Sequence, residues 1–165
     1  MLQQFLEQNR DTISKKWIDQ TFLTYQPEMV RFLKGKKNQF ANPVRNTILT
    51  SLEKIYDGIL ISKITDEFYP ELEDIIKLRA VQDFSPSNAL SFLFSFKKIV
   101  REEIEKMDED VSSSKELQNF NDKIDALIRL SFDIYSKCRS KIYEIRINEI
   151  KSQTKRAFEI FDKQK

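Results

Sequence analysis

The chain has 165 residues, 40% of them hydrophobic and 33% charged, and its 28 basic and 26 acidic side chains leave a net charge of +2. It contains two glycines, four prolines, one cysteine and no histidine. The charge balance lacks the dense basic face of a nucleic-acid binder, the scarcity of turn formers argues against an all-β fold, and the missing histidine removes the usual zinc site, the usual haem ligand and every histidine-based triad or phosphorelay.

In chain order, "LQQFLEQNRDTISKKWIDQTFLTY" reads as one long helix or two short ones. Leu2, Phe5 and Leu6 form one apolar patch, and Ile13, Trp17, Ile18 and Phe22 continue at helical spacing. Pro27 opens a short helix carrying Met29, Val30, Phe32 and Leu33. "GKKNQFANP" is the clearest loop, and Asn42-Pro43 is a cap-then-proline helix start. The helix that follows runs to about residue 62, with Val44, Ile48, Leu52, Ile55 and Ile59 on one stripe.

A helix over about 65–84 comes next, with Leu72, Ile75, Ile76, Arg79 and Ala80 on a broad face and Pro70 placed to delay its start. Ser85-Pro86 repeats the capping signal and opens a helix ending near Met107. Its apolar residues go all the way round, with Leu90, Leu93 and Phe94 on one side and Phe92, Phe96 and Ile99 on another, which predicts a central helix buried on every side. A hydrophobic sensory pocket lined by the same rings is the competing reading. "DEDVSSS" is a linker, and Ser113 with Glu116 forms a capping box for the last helix.

That last helix shows no stop before residue 162. Leu117, Phe120, Ile124, Leu127, Ile134, Cys138, Ile142 and Ile145 keep steps of three and four, with Ser131 in one slot. Ile150, Thr154, Ala157, Phe158 and Phe161 resume an apolar stripe. A helix of this length is roughly 70 Å long at 1.5 Å per residue, whereas a globule of this size has a radius of gyration of about 15 Å. The helix therefore kinks or leaves the domain, and an emerging stripe needs a partner, most simply the same helix of a second subunit. Ile142, Ile145, Ile150, Ala157 and Phe161 are the candidate dimer and signalling residues.

Few chemical sites emerge. Two scattered glycines, Gly35 and Gly58, cannot build a phosphate loop. The clusters Glu71, Glu73, Asp74 and Glu102, Glu103, Glu105 read as solvated helix faces rather than catalytic pairs. Cys138 reads as a small core residue, against a thiol sensor or unusual metal ligand. The tail "KSQTKRAFEIFDKQK" has a weak case as a membrane-surface segment, because Glu159 and Asp162 dilute its charge. Arg79 and Asp83 are four apart, with Gln82 beside them. They form a surface pair, clamp the interhelix corner, or face a pocket with Phe92 and Phe96 where Arg79 binds an anionic signal. No signal peptide is evident, no apolar run approaches the ~18 residues of a membrane span, and a single cysteine suits a reducing compartment, so the expected home is the cytoplasm without membrane insertion.

"FANPV" at 40–44, "IIKLRAVQDFSPSNAL" at 75–90, "FLFSFKKIVREE" at 92–103 and "IDALIRLSFDIYSKCRSKIYEIRINEI" at 124–150, with the segment from Trp17 to Tyr25, together resemble the amino-terminal sensory domain of RsbT co-antagonist proteins of the RsbRD type. The resemblance implies a helical, globin-like, non-haem sensory module, which dimerises and signals through its C-terminal helix; no cofactor is expected. In related stress-signalling proteins such a module feeds a phosphorylatable anti-sigma-factor-antagonist domain or a histidine kinase. Only about 15 residues follow "IYEIRINEI", so the expectation is a stand-alone sensor or one whose output is a separate protein. The expected architecture is a single all-α domain of about six or seven helices over 1–150 and a helical extension over 151–165. It is not an enzyme; it works through a homodimer, a protein partner or a small-molecule signal, and the alternatives are a structural adaptor subunit or a small hydrophobic-ligand-binding protein.

Overall fold

A computed structural model describes residues 1–35, 40, 42–107 and 115–164. They form α1 (Leu2–Gln8), α2 (Arg10–Leu23), α3 (Pro27–Gly35), α4 (Pro43–Leu60), a 3₁₀ turn (Thr65–Phe68), α5 (Tyr69–Val81), α6 (Pro86–Ala89), α7 (Ser91–Glu105) and α8 (Lys115–Lys163). No strand occurs among the described residues. The chain is an all-α domain with a long C-terminal helix.

The helix starts follow local chemistry. Asn42 accepts the Arg45 N–H at 3.1 Å and Pro43 takes the first turn, as the cap-then-proline signal predicts. Ser85 accepts the Asn88 N–H in the same way. Pro70 delays the α5 start, so residues 65–68 form a 3₁₀ turn instead of helix. The expected capping box at Ser113 lies outside the described residues. Glu116 instead accepts the Leu2 N–H at 2.6 Å and pairs with the N-terminal ammonium, tying α1 to the start of α8.

The described residues form eight α-helices against the expected six or seven: the N-terminal segment takes the two-helix alternative, and the segment after Ser85 breaks once. Asn9 separates α1 from α2. Leu90 separates α6 from α7, where a side chain of the preceding helix and the Ser91 hydroxyl take up carbonyls of the break. Arg79 donates to the carbonyls of Asn88 and Ala89, which would otherwise accept the next turn's N–H groups. The Leu93 N–H turns to Leu90 O instead.

α5 lies between α4 and α8, while α2 packs along α7 on the other side of the core. Phe96 sits at the junction, its ring 4.3 Å from Trp17 of α2, 5.6 Å from Tyr56 of α4 and 5.8 Å from Phe120 of α8. Both polar aromatics are satisfied: Trp17 Nε1 donates to Phe92 O at 2.7 Å and Tyr56 Oη to Leu6 O at 2.8 Å. α7 is not buried all round, contrary to the sequence expectation. Phe92, Leu93 and Phe96 are buried, but Phe94 is 54% exposed. It lies beside Lys97, Lys98 and Arg101 in an open groove whose other wall is Leu117 and Asn121 of α8.

Gly58 marks the closest approach in the core. A Cβ there would stand 2.6 Å from Phe68 Cε1 and 2.9 Å from Cζ, and that ring is fully buried. Gly58→Ala should therefore destabilise the fold by about 1–3 kcal/mol, despite the better helix propensity of alanine. A thermal melt checks this; an unchanged or raised midpoint would show that the ring is free to move.

Candidate functional site

The end of α5 is closed by a Schellman motif. The Phe84 N–H reaches Arg79 O at 3.1 Å and the Asp83 N–H reaches Ala80 O at 3.4 Å. The motif requires a left-handed residue, and Asp83 holds φ 59° where glycine is usual. A non-glycine residue there costs about 1–2 kcal/mol, tolerated most readily by Asn and Asp.

Arg79 lies directly inside this turn and is completely buried. Its guanidinium donates to Asn88 O at 2.9 Å, Thr24 Oγ1 at 3.0 Å, and Ala89 O and Thr21 O at 3.4 Å. Thr21 is in the last turn of α2, and Asn88 and Ala89 end α6. These carbonyls lie at helix ends, where the helix dipole is negative; Thr21 O and Asn88 O also accept from the Thr24 and Ser91 hydroxyls, and one cation joins the two ends. The rings of Tyr25, Phe84 and Phe92 surround it, with centroids 5.3, 5.0 and 5.4 Å from Cζ. Among the described residues no carboxylate pairs with it, and Nε makes no hydrogen bond. Burial lowers the Arg79 pKa from its ordinary value. Burial likewise raises that of the Tyr25 phenol, with the Arg79 cation pulling the other way.

The same corner grips α8. Tyr135 Oη donates to Phe84 O, and Arg139 Nη1 donates to Ala80 O and to Asp83 Oδ1, each at 2.9 Å. Arg146 approaches the same carboxylate at 3.9 Å. A surface cleft of about 350 Å³ opens over the corner, lined in part by Thr24, Tyr25, Gln82, Asp83, Phe84 and Asn88.

Among the candidate residues named from sequence, the structure brings Arg79, Gln82 and Asp83 together at this corner, with Gln82 and Asp83 on the cleft. Asp83 is joined to Arg139 and not to Arg79. Phe92 packs beneath the guanidinium, whereas Phe96 is deeper, among Trp17, Tyr56 and Phe120. Neither phenylalanine lines the cleft. Tyr135 and Arg139 were not among the candidates named from sequence, because the reading of this helix followed its apolar stripe through Ile134, Cys138 and Ile142. Their i,i+4 spacing, continued to Tyr143, was the available signal.

α8 carries two different apolar faces. Leu117, Phe120, Ile124, Leu127, Ser131 and Ile134 are buried, and Cys138 and Ile142 pack at the edge of the core. Burial, followed by the nearby Glu73 carboxylate, raises the Cys138 thiol pKa, consistent with a core role and against a reactive thiolate. Ile145 continues that face but is exposed. Tyr143, Ile147, Ile150, Thr154, Ala157 and Phe161 lie on another face, about 130° around the helix at 3.6 residues per turn. All six are exposed, and they follow alternating steps of four and three. The face begins within the domain, at exposed Phe132.

The carboxylate clusters are not uniformly solvated. Glu71 pairs with Lys63 and Glu103 with Lys16 and Lys106, both acids largely covered. The two lysines hold the Glu103 carboxyl below its ordinary pKa, mainly through hydrogen bonds.

The family model for the RsbT co-antagonist protein rsbRD N-terminal domain matches residues 11–150. The chain belongs to this family. No curated protein and no solved structure matches it. The RsbRD match runs from the start of α2 to the emerging part of α8 and so includes the whole Arg79 corner.

Arg79→Lys in this RsbRD domain should cost roughly 2–5 kcal/mol, because a single ammonium cannot reach acceptors on both sides of the corner and leaves buried carbonyls unpaired. Urea unfolding measures it. A loss below about 0.5 kcal/mol, typical of an exposed pair, would mean the corner does not depend on the guanidinium.

Proposed function

We propose that this chain is a non-enzymatic sensory and regulatory domain of stress signalling that works through protein contact. A homodimer forms along α8, and a change at the Arg79 corner is passed outward by that helix to a partner or separate output protein. Residues 1–150 form the sensory unit, globin-like and haem-free, and residues 151–165 extend its signalling helix. Membership of the RsbRD family supports the regulatory, stress-signalling part of this reading. No described helix is long and apolar enough to cross a membrane, and the cytoplasm is the compartment this reading proposes.

The observation that carries the dimer is the second face of α8. Tyr143, Ile147, Ile150, Thr154, Ala157 and Phe161 fall on the a and d positions of a heptad pattern, and Ile147 and Ile150 are 50% and 62% exposed. An apolar stripe of this length on a projecting helix suits a partner helix better than water. Ile150, Ala157 and Phe161 keep the role expected from sequence. Ile142 packs at the core edge and Ile145 follows the core-facing side, so Tyr143 and Ile147 take their places in the proposed seam.

An adaptor subunit is the second reading, favoured by exposed Phe94 with Lys97, Lys98 and Arg101 around it on a different surface. Light scattering separates the two. The full chain should show twice the monomer mass, and Ile147→Asp with Ile150→Asp should halve it without changing the helical circular dichroism. A monomeric full chain would remove the homodimer.

A further inference from the structure

We propose that a second cleft, between α2 and α4, binds a small organic ammonium with an apolar body, drawn by two carboxylates on its rim that no described cation takes up. The site stands on its own geometry; its role as an input rests on the sensory reading.

Charge is the first argument. Asp11 of α2 and Glu53 of α4 both line the cleft, and both are exposed. Among the described residues, neither carboxylate makes an ion pair or a hydrogen bond. Arg10 is the only cation among the described lining residues, and it is already engaged. Its guanidinium pairs with Asp57 Oδ1, bridging α2 to α4, and lies 5.7 Å from the centroid of the Tyr56 ring. Lys15, Lys16 and Lys54, nearby in sequence, are not part of the lining. With Arg10 matched by Asp57, the rim keeps the negative charge of Asp11 and Glu53, which favours a cation in the cleft.

Shape is the second argument. The cleft has a volume of about 320 Å³, at the small end of the range for ligand sites. Buried Trp17 and Leu52 form its floor, and half-buried Ile18 and Leu49 its walls. An apolar floor offers a metal ion none of the oxygen ligands it requires. It suits a molecule that lays carbon against the floor and holds a positive charge at the wet rim.

Position supplies the consequence. Trp17 is held to α7 through Phe92 O, and its ring packs on Phe96. One turn further along α2, Thr21 Oγ1 donates to Trp17 O, and Thr21 O accepts from Arg79. Occupancy that shifts α2 thus reaches the Arg79 corner through a single turn of helix, and binding and the state of the corner are linked.

Trp17 is the only tryptophan of the chain, so its fluorescence reads the cleft floor in the full-length protein. The probe is benzylamine, protonated near neutral pH, at constant ionic strength. Benzyl alcohol is its uncharged isostere, and methylammonium carries the charge without the body. Benzylammonium should change the fluorescence saturably and bind roughly fivefold more tightly than the alcohol, and methylammonium should change nothing. Asp11→Asn with Glu53→Gln, both exposed positions, should abolish that preference and leave the circular dichroism as it was. No saturable response, equal binding of the alcohol, the same response to methylammonium, or a preference that survives the double substitution would overturn the proposal. Binding that leaves the NMR resonances of residues 143–161 in place upholds the site and removes its role as an input. A monomeric chain that still binds benzylammonium removes the seam and keeps the site, whereas a dimer that does not bind it keeps the seam and removes the site.

Discussion

A guanidinium with no carboxylate beside it stands where four segments meet, and geometry has to offset its desolvation. Arg79 meets this demand with the carbonyls that end α2 and α6, two hydroxyl-bearing side chains and three aromatic faces. The backbone acceptors lie at helix ends, and two of them, Thr21 O and Asn88 O, also accept from the Thr24 and Ser91 hydroxyls. The requirement runs in both directions: the helices need the cation, and the cation needs the helices to end there. That mutual dependence operates at the Leu90 break, beyond which α7 starts with Phe92 and Phe96 turned into the core.

The corner also sets how α8 lies. Its first half is fixed by apolar burial against α5 and α7, a broad and non-directional contact. Directional bonds come later, where Tyr135 and Arg139 fasten to the backbone of residues 80–84. Beyond them the helix runs on with every residue from Glu144 to Gln164 exposed. These anchors, with the longer Arg146–Asp83 contact just past them, separate a part governed by the core from a part governed by whatever lies outside.

Much of the architecture was legible in the sequence because it depends on local chemistry. Asn42-Pro43, Ser85-Pro86 and Pro27 mark helix starts that cap geometry enforces. The stripe Leu72, Ile75, Ile76, Arg79, Ala80 is buried in full, arginine included. What escaped depends on distant partners. At the Leu90 break Arg79 takes up carbonyls from outside the segment, and the solvent exposure of Phe94 depends on where α2 and α8 lie; neither leaves a local trace. In α8 the three-and-four periodicity continues past Ile142 on two faces, and only packing shows that the core follows one while Tyr143 and Ile147 begin the other. The corner was legible as the trio Arg79, Gln82, Asp83, but the true partner of Asp83 is 56 residues away.

The unbroken rod from Lys115 to Lys163 gives mechanical gain. From Arg139 to its tip it extends about 36 Å, so a tilt of only ~5° about that anchor displaces the tip by ~3 Å. A displacement of that size exceeds half the rise of one helical turn. Small rearrangements too slight to disturb the packed interior thus become large enough at the far end to change which side chains two neighbouring rods can interleave.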